Sequence, residues 1–151
     1  MTTVKTTYLG DLRTENIHLQ SGNKIYTDAP VDNQGKGEAF SPTDLVATAL
    51  ASCLITIMGI KARDLEVDIE GTKAEVKKIM GTNPRRIVEI KIAVSLPNAF
   101  DEKTQKILEK ADIVIADSIS QCIHHGEIHY AIKDKLVKEN DLVELGNIIS
   151  G

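Results

Sequence analysis

From Leu45 to Ile60 the chain is apolar at nearly every position, with only Thr48, Ser52, Thr56 and Gly59 intervening. A helix start stands in front of this stretch. Ser41 is placed as an N-cap and Pro42 suits the first helical position, where its missing N–H leaves nothing unsatisfied. Asp44, three residues after the serine, sits where a capping box puts an acid. A helix that is apolar around its whole circumference must be covered on every side. In a chain of 151 residues, this predicts a central helix over 41–62 enclosed by a sheet and by a second subunit.

The remaining segments divide by periodicity. Val4, Thr6 and Tyr8 alternate with polar residues, as do Ile17 and Leu19, and Ile25 follows the turn-forming Ser21-Gly22-Asn23. Residues 1–40 therefore read as a β-meander, with turns at Gly10-Asp11 and Gly22-Asn23, together with a loop that begins DAPVDNQGKGEAFSP. A loop of that length inside a compact domain is commonly functional. Leu65, Val67 and Ile69 alternate with acids, and Val88, Ile90, Ile92, Val94 and Leu96 alternate in turn, which predicts a β-hairpin over 64–97 with one wet face. Asp101 or a neighbour opens a second helix over 101–124, stopped by Gly126. A last strand follows at 127–134, and 135–151 forms a C-terminal extension, a helix or an arm. The expected class is α+β in a single domain over 1–151.

Composition narrows the function. The net charge of −4 comes without a basic, aromatic-laced stripe, so no nucleic-acid partner is expected. The N-terminus lacks the apolar core of a signal peptide, and no run of apolar residues looks long enough for a membrane span. The expectation is a cytoplasmic protein with no membrane partner. Aromatic residues are only 3% of the chain and Trp is absent, so Ile, Val, Leu and Ala must fill the core.

The two cysteines, Cys53 and Cys122, lie in the helix-patterned segments and not in loops. Two readings stand on the residues alone. The thiols are inert core packing, or two buried helices bring them together as a redox site. Two thiols without a CxxC, with His124, His125 and His129 nearby, make no tetrahedral zinc set, and no metal is expected.

The stretches YLGDLR, SGNKIYTDAP, GKGEAFSPTDLVATALASC and NPRRIVEIKIAV resemble the OsmC/Ohr family of osmotically inducible and organic-hydroperoxide-resistance proteins. The resemblance runs from about Tyr8 to about Ile132. Its most specific part is Ser41-Pro42-x-Asp44-Leu45 with Cys53 eight residues after the leucine. The resemblance implies an intertwined homodimer with the central helices at its heart and active sites at the subunit interface. The implied activity is a thiol-dependent peroxidase that reduces organic hydroperoxides in stress defence, with an external thiol reductant and no cofactor.

Carried over by position, Cys53 is the peroxidatic thiolate, which attacks the peroxide and becomes a sulfenic acid. Cys122 is the resolving thiol. Arg13, in the GDLR turn, is the active-site arginine whose guanidinium favours the thiolate. An acid orients that arginine, with Asp44 the first candidate and Glu38 the second. The family's second cysteine precedes proline in a Cys-Pro-Val-like run, whereas Cys122 is followed by Ile123. That difference favours an alternative, an OsmC-like protein that binds a small molecule or a thiol and has little peroxidase activity.

Overall fold

The computed structural model describes residues 1–110 together with the strand backbones at 127–132 and 143–144. The chain divides into two compact units, Met1–Val46 and Ala47–Gly151.

The first unit is a three-stranded antiparallel meander, β1 (Val4–Gly10), β2 (Arg13–His18) and β3 (Lys24–Asp28), in the order β1-β2-β3. A two-residue turn at Asp11-Leu12 joins β1 to β2, close to where turn chemistry predicted it. Both turn residues have positive φ, the geometry that matches the natural twist of a hairpin. The second turn differs from expectation. The His18 N–H closes on the Asn23 carbonyl, so the loop is Leu19–Gly22 and not one centred on Gly22-Asn23. Gly22, at φ 73°, takes the left-handed position that lets its N–H return to the His18 carbonyl. That loop sets a register in which Arg13 lies opposite Asp28. The connection that follows holds one 3₁₀ turn, Val31–Asn33.

Helix α1 (Pro42–Asp64) joins the two units. Its start is the capping box read from sequence: the Asp44 N–H donates to Ser41 Oγ at 3.1 Å, and the Ser41 N–H donates back to Asp44 Oδ2 at 2.8 Å. Its end is a Schellman motif. The Val67 N–H reaches the Ala62 carbonyl and the Glu66 N–H reaches that of Arg63, with Glu66 at φ 57° in the position that glycine usually occupies. This stop corrects one expectation. Leu65, Val67 and Ile69 alternate in burial but form no strand; they run as an irregular segment whose apolar side chains pack on the core.

The second unit builds a sheet in the order β4-β5-β6-β7, with β4 at Lys73–Thr82, β5 at Arg85–Ser95, β6 at Glu127–Ile132 and β7 at Val143–Glu144. β4 and β5 form the hairpin expected from the alternating pattern. β6 runs parallel to β5, with Ile90↔Ile128 and Ile92↔Tyr130 in register, and β7 pairs antiparallel to β6. Part of the C-terminal extension is thus a strand and not a helix. Helix α2 is described over Glu102–Lys110. Asp101 caps it by accepting the N–H groups of Lys103 and Thr104. The remainder of the predicted 101–124 helix lies outside the described residues.

One core cluster fills this unit: Ala47, Leu50, Ala51, Leu54, Met58 and Ala62 from α1, Ile90, Ile92 and Val94 from β5, and Leu108 from α2. The α1 residues recur at three- and four-residue spacing and mark a single face. The opposite face carries Val46, Ala49, Cys53, Thr56 and Ile60, all exposed in the single chain. Among the described residues, therefore, only one face of the apolar circumference is buried. At 23 residues, α1 is also long and apolar enough by composition to cross a membrane, which corrects the expectation that no segment is. Small Ala, Thr, Ser and Gly residues interrupt the run to the eye without making it polar.

Candidate functional site

The first unit gathers a charged cluster around Arg13, the residue that opens β2. The Arg13 Nε–H donates to Asp28 Oδ1 and an Nη2–H donates to Asp28 Oδ2, each at 2.7 Å. The second Nη2 proton goes to Glu38 Oε2, also at 2.7 Å. This fork-to-fork pairing fixes the plane of the guanidinium as well as its place. The two carboxylates differ in setting. The Asp28 side chain is 2% exposed and the Glu38 side chain 62%.

Each partner reaches the cluster by a different route. Asp28 arrives because the β2–β3 register sets it opposite Arg13. Glu38 arrives because the 29–40 loop folds back on itself: Gly35 N–H and Asn33 N–H return to the Pro30 carbonyl, and Gly37 N–H to that of Ala29. Gly35 is required at this approach, since a Cβ there would lie 1.6 Å from the Ala29 carbonyl oxygen. The loop also feeds the aspartate, as the Glu38 N–H donates to Asp28 Oδ2 at 3.1 Å. Hydrogen bonding from Arg13 first, and the loop amides of Glu38 and Ala39 after it, hold the Asp28 carboxyl below its ordinary range, against the opposing effect of burial. The same two carboxylates raise the Arg13 pKa further above its already high value.

Of the two acids considered as partners of Arg13, Glu38 is the one hydrogen-bonded to it. The Asp44 carboxylate instead accepts from Ser41, through N–H and Oγ–H, so its visible work is helix capping. Asp28 was not foreseen. It follows Thr27 directly, and both are buried, so it has no place in an alternating strand pattern. The signal that could have found it is register: an arginine and an aspartate paired across one hairpin.

Cys53 lies on α1 in the second unit, exposed and free of any disulfide among the described residues. Cys122 lies outside the described residues. No cluster of three or more His, Cys, Asp or Glu suited to a metal occurs among the described residues.

With this arrangement in view, the OsmC-like protein family profile matches residues 35–135, two thirds of the chain. The chain belongs to the OsmC-like family. A solved structure described as that of a candidate osmotic-stress-induced and detoxification-response protein from Psychrobacter arcticus 273-4 agrees. It shares 57% identity with this OsmC-like chain over 88% of it and 96% of its own length, with a TM-score of 0.82. An organic hydroperoxide resistance protein OsmC from Legionella pneumophila superposes with a TM-score of 0.69 at 14% identity, over 89% of this chain and 98% of that one. One from Elizabethkingia anophelis, with crystallant-derived thiocyanate bound, gives 0.67 at 16% identity, over 89% and 97%. These last two share the fold. No match was found among curated proteins.

Proposed function

We propose that this OsmC-like protein is a thiol-dependent peroxidase that reduces organic hydroperoxides in stress defence. The observation that carries the reading is the free, exposed Cys53 at the position the Ser41-Pro42-x-Asp44-Leu45 motif marks. The names of the Legionella and Elizabethkingia structures, as hydroperoxide resistance proteins, support it.

In the proposed reaction the Cys53 thiolate attacks the terminal oxygen of ROOH. The O–O bond breaks, sulfur becomes a sulfenic acid, and the departing alkoxide takes up a proton to leave as ROH. A guanidinium favours the thiolate over the thiol and stabilises developing negative charge on oxygen; Arg13 is assigned that part. Cys122 then condenses with the sulfenic acid to a disulfide, releasing water. An external dithiol returns both cysteines to the reduced form, without a cofactor.

The protein is assigned to the cytoplasm and acts as a homodimer. The unused face of α1, with Val46 and Ile60 exposed, supports an apolar partner surface, as do the exposed Tyr8, Leu9, Ile25 and Tyr26 of the meander. The deciding experiment is Cys53→Ser assayed with cumene hydroperoxide and a dithiol. Turnover is abolished on this reading, and retained turnover would falsify it.

The sequence after Cys122 favours a second reading, a small-molecule- or thiol-binding protein with little turnover. Thiol titration after one equivalent of peroxide separates the two. Loss of both thiols as an intramolecular disulfide supports the peroxidase. A persistent sulfenic acid, or no reaction, supports the binding protein.

A further inference from the structure

Three exposed hydroxyl residues, Thr48, Ser52 and Thr56, recur at every fourth position of α1 around Cys53. Two of them direct their protons to the helix itself. The Ser52 Oγ–H donates to the Thr48 carbonyl and the Thr56 Oγ1–H to the Ser52 carbonyl, each at 2.8 Å. Such back-bonds add nothing to helix stability and bend the helix slightly. Their effect on Thr56 is chemical. With its proton engaged, Oγ1 presents lone pairs alone, and it accepts no hydrogen bond among the described residues.

The same bond sets where that oxygen lies. The Ser52 carbonyl belongs to the peptide that joins Ser52 to Cys53, so Oγ1 stands 2.8 Å from the backbone of the cysteine's own turn. A helical side chain covers the surface over the turn before it. For Thr56 that turn holds Cys53, three residues back, a spacing that sets Cβ atoms about 5–6 Å apart. Ser52 adjoins Cys53 in sequence and does not face it; its hydroxyl reaches back to Thr48.

We infer that Thr56 Oγ1 accepts the O–H of the hydroperoxide and holds its terminal oxygen over the Cys53 sulfur. This rests on the proposed peroxidase reaction at Cys53. An organic hydroperoxide carries one O–H donor, on the oxygen that the thiolate attacks. The hydrogen stays there through the step. As the S–O bond forms and the O–O bond breaks, the terminal oxygen keeps its hydrogen as the sulfenic S–OH, and the alkoxide takes a proton from water. One fixed acceptor therefore serves substrate and product without moving, and acts by orientation alone. It also selects which oxygen is held, because the alkyl-bearing oxygen has no hydrogen to offer.

The test compares two reagents at one sulfur. Cumene hydroperoxide brings an O–H. Methyl methanethiosulfonate brings no hydrogen-bond donor, and its rate reports only thiolate content and access. Loss of the Cys53 thiol is followed at neutral pH by mass spectrometry of quenched samples. Thr56→Val is expected to slow the peroxide reaction about five- to tenfold and to leave the thiosulfonate rate unchanged. Thr56→Ser keeps the hydroxyl and should stay near the wild-type rate with both. Ser52→Ala removes the neighbouring back-bond alone and is expected to change neither. Circular dichroism and gel filtration check that each variant is folded and of wild-type size. Thr56→Ala carries the same expectation as valine, and replaces it if the valine chain does not fold.

A wild-type peroxide rate in Thr56→Val, or equal slowing with both reagents, overturns the inference and leaves Cys53 as the nucleophile. Selective slowing in Ser52→Ala overturns it too, since the effect then belongs to the bend of the helix. A wild-type Cys53 that cumene hydroperoxide does not oxidise ends the peroxidase reading itself, whatever Thr56 does.

Discussion

Ser41 and Asp44 exchange hydrogen bonds across the first turn of α1, each closing on the other's backbone N–H. The serine hydroxyl also donates to the same carboxylate oxygen at 2.7 Å. The pair settles two N–H groups that a helix start would otherwise leave without partners. Ser41 is itself buried, so this end of the helix cannot turn to water for a substitute. Ser41→Ala is expected to destabilise the protein by about 1–2 kcal/mol, read as a lower urea midpoint with an unchanged slope. An unaltered midpoint would show that the cap contributes nothing.

Acid stability follows from the carboxylates. Asp28 has its pKa lowered by Arg13, Glu15 by Lys24 and Tyr26, Asp101 by Thr104, and Glu102 by Lys106. A group with a depressed pKa in the folded state stabilises above its unfolded value, near 4 for these residues, and loses that contribution as pH falls through the folded value. The melting temperature is therefore expected to hold from neutrality to about pH 5 and to fall steeply below about pH 4. Asp28→Asn removes one contributor, so its acid limb should be shallower. An identical limb would show that Asp28 titrates alike in both states.

Ile60 is 45% exposed on the outer face of α1, on the same side as Cys53. If that face meets a second copy, Ile60→Lys places a charge in an apolar contact and shifts the population toward monomer, as light scattering after gel filtration reports. The reverse observation, an unchanged mass for Ile60→Lys, would remove the outer face of α1 from the interface.

Gly35→Ala forces the 29–40 loop apart, because the added methyl group collides with the Ala29 backbone and not with a side chain that could move. The expected loss is on the order of 2 kcal/mol, with faster proteolytic cleavage within the loop. Wild-type stability in this variant would mean that the backbone reaches another conformation at little cost.

The central helix and its cap were legible because their signals are local: a serine, a proline, an acid and then an apolar run. The β5 strand was legible because Ile90, Ile92 and Val94 point one way and their neighbours the other. The 65–69 segment was misread because alternate burial in an extended chain looks the same with or without a pairing partner. The helix stop at Glu66 escaped notice because the left-handed position held no glycine. Arg13 and Glu38 could be named from the family pattern. Asp28 could not, since its pairing depends on the exact length of the Leu19–Gly22 loop, and a small displacement of that turn sets a different residue opposite Arg13.

The position of α1 in the chain has a consequence for synthesis. Its buried face packs on Ile90, Ile92, Val94 and Leu108, all of which are made after it. Thirty residues separate the end of the helix from Val94, which at ordinary elongation rates is roughly two to six seconds. During that interval a 23-residue apolar helix stands complete before the β5 and α2 residues of its core are all made. The nascent chain is at its most adhesive there. Slowing translation between Asp64 and Val94 should lower soluble yield more than slowing it anywhere in the meander.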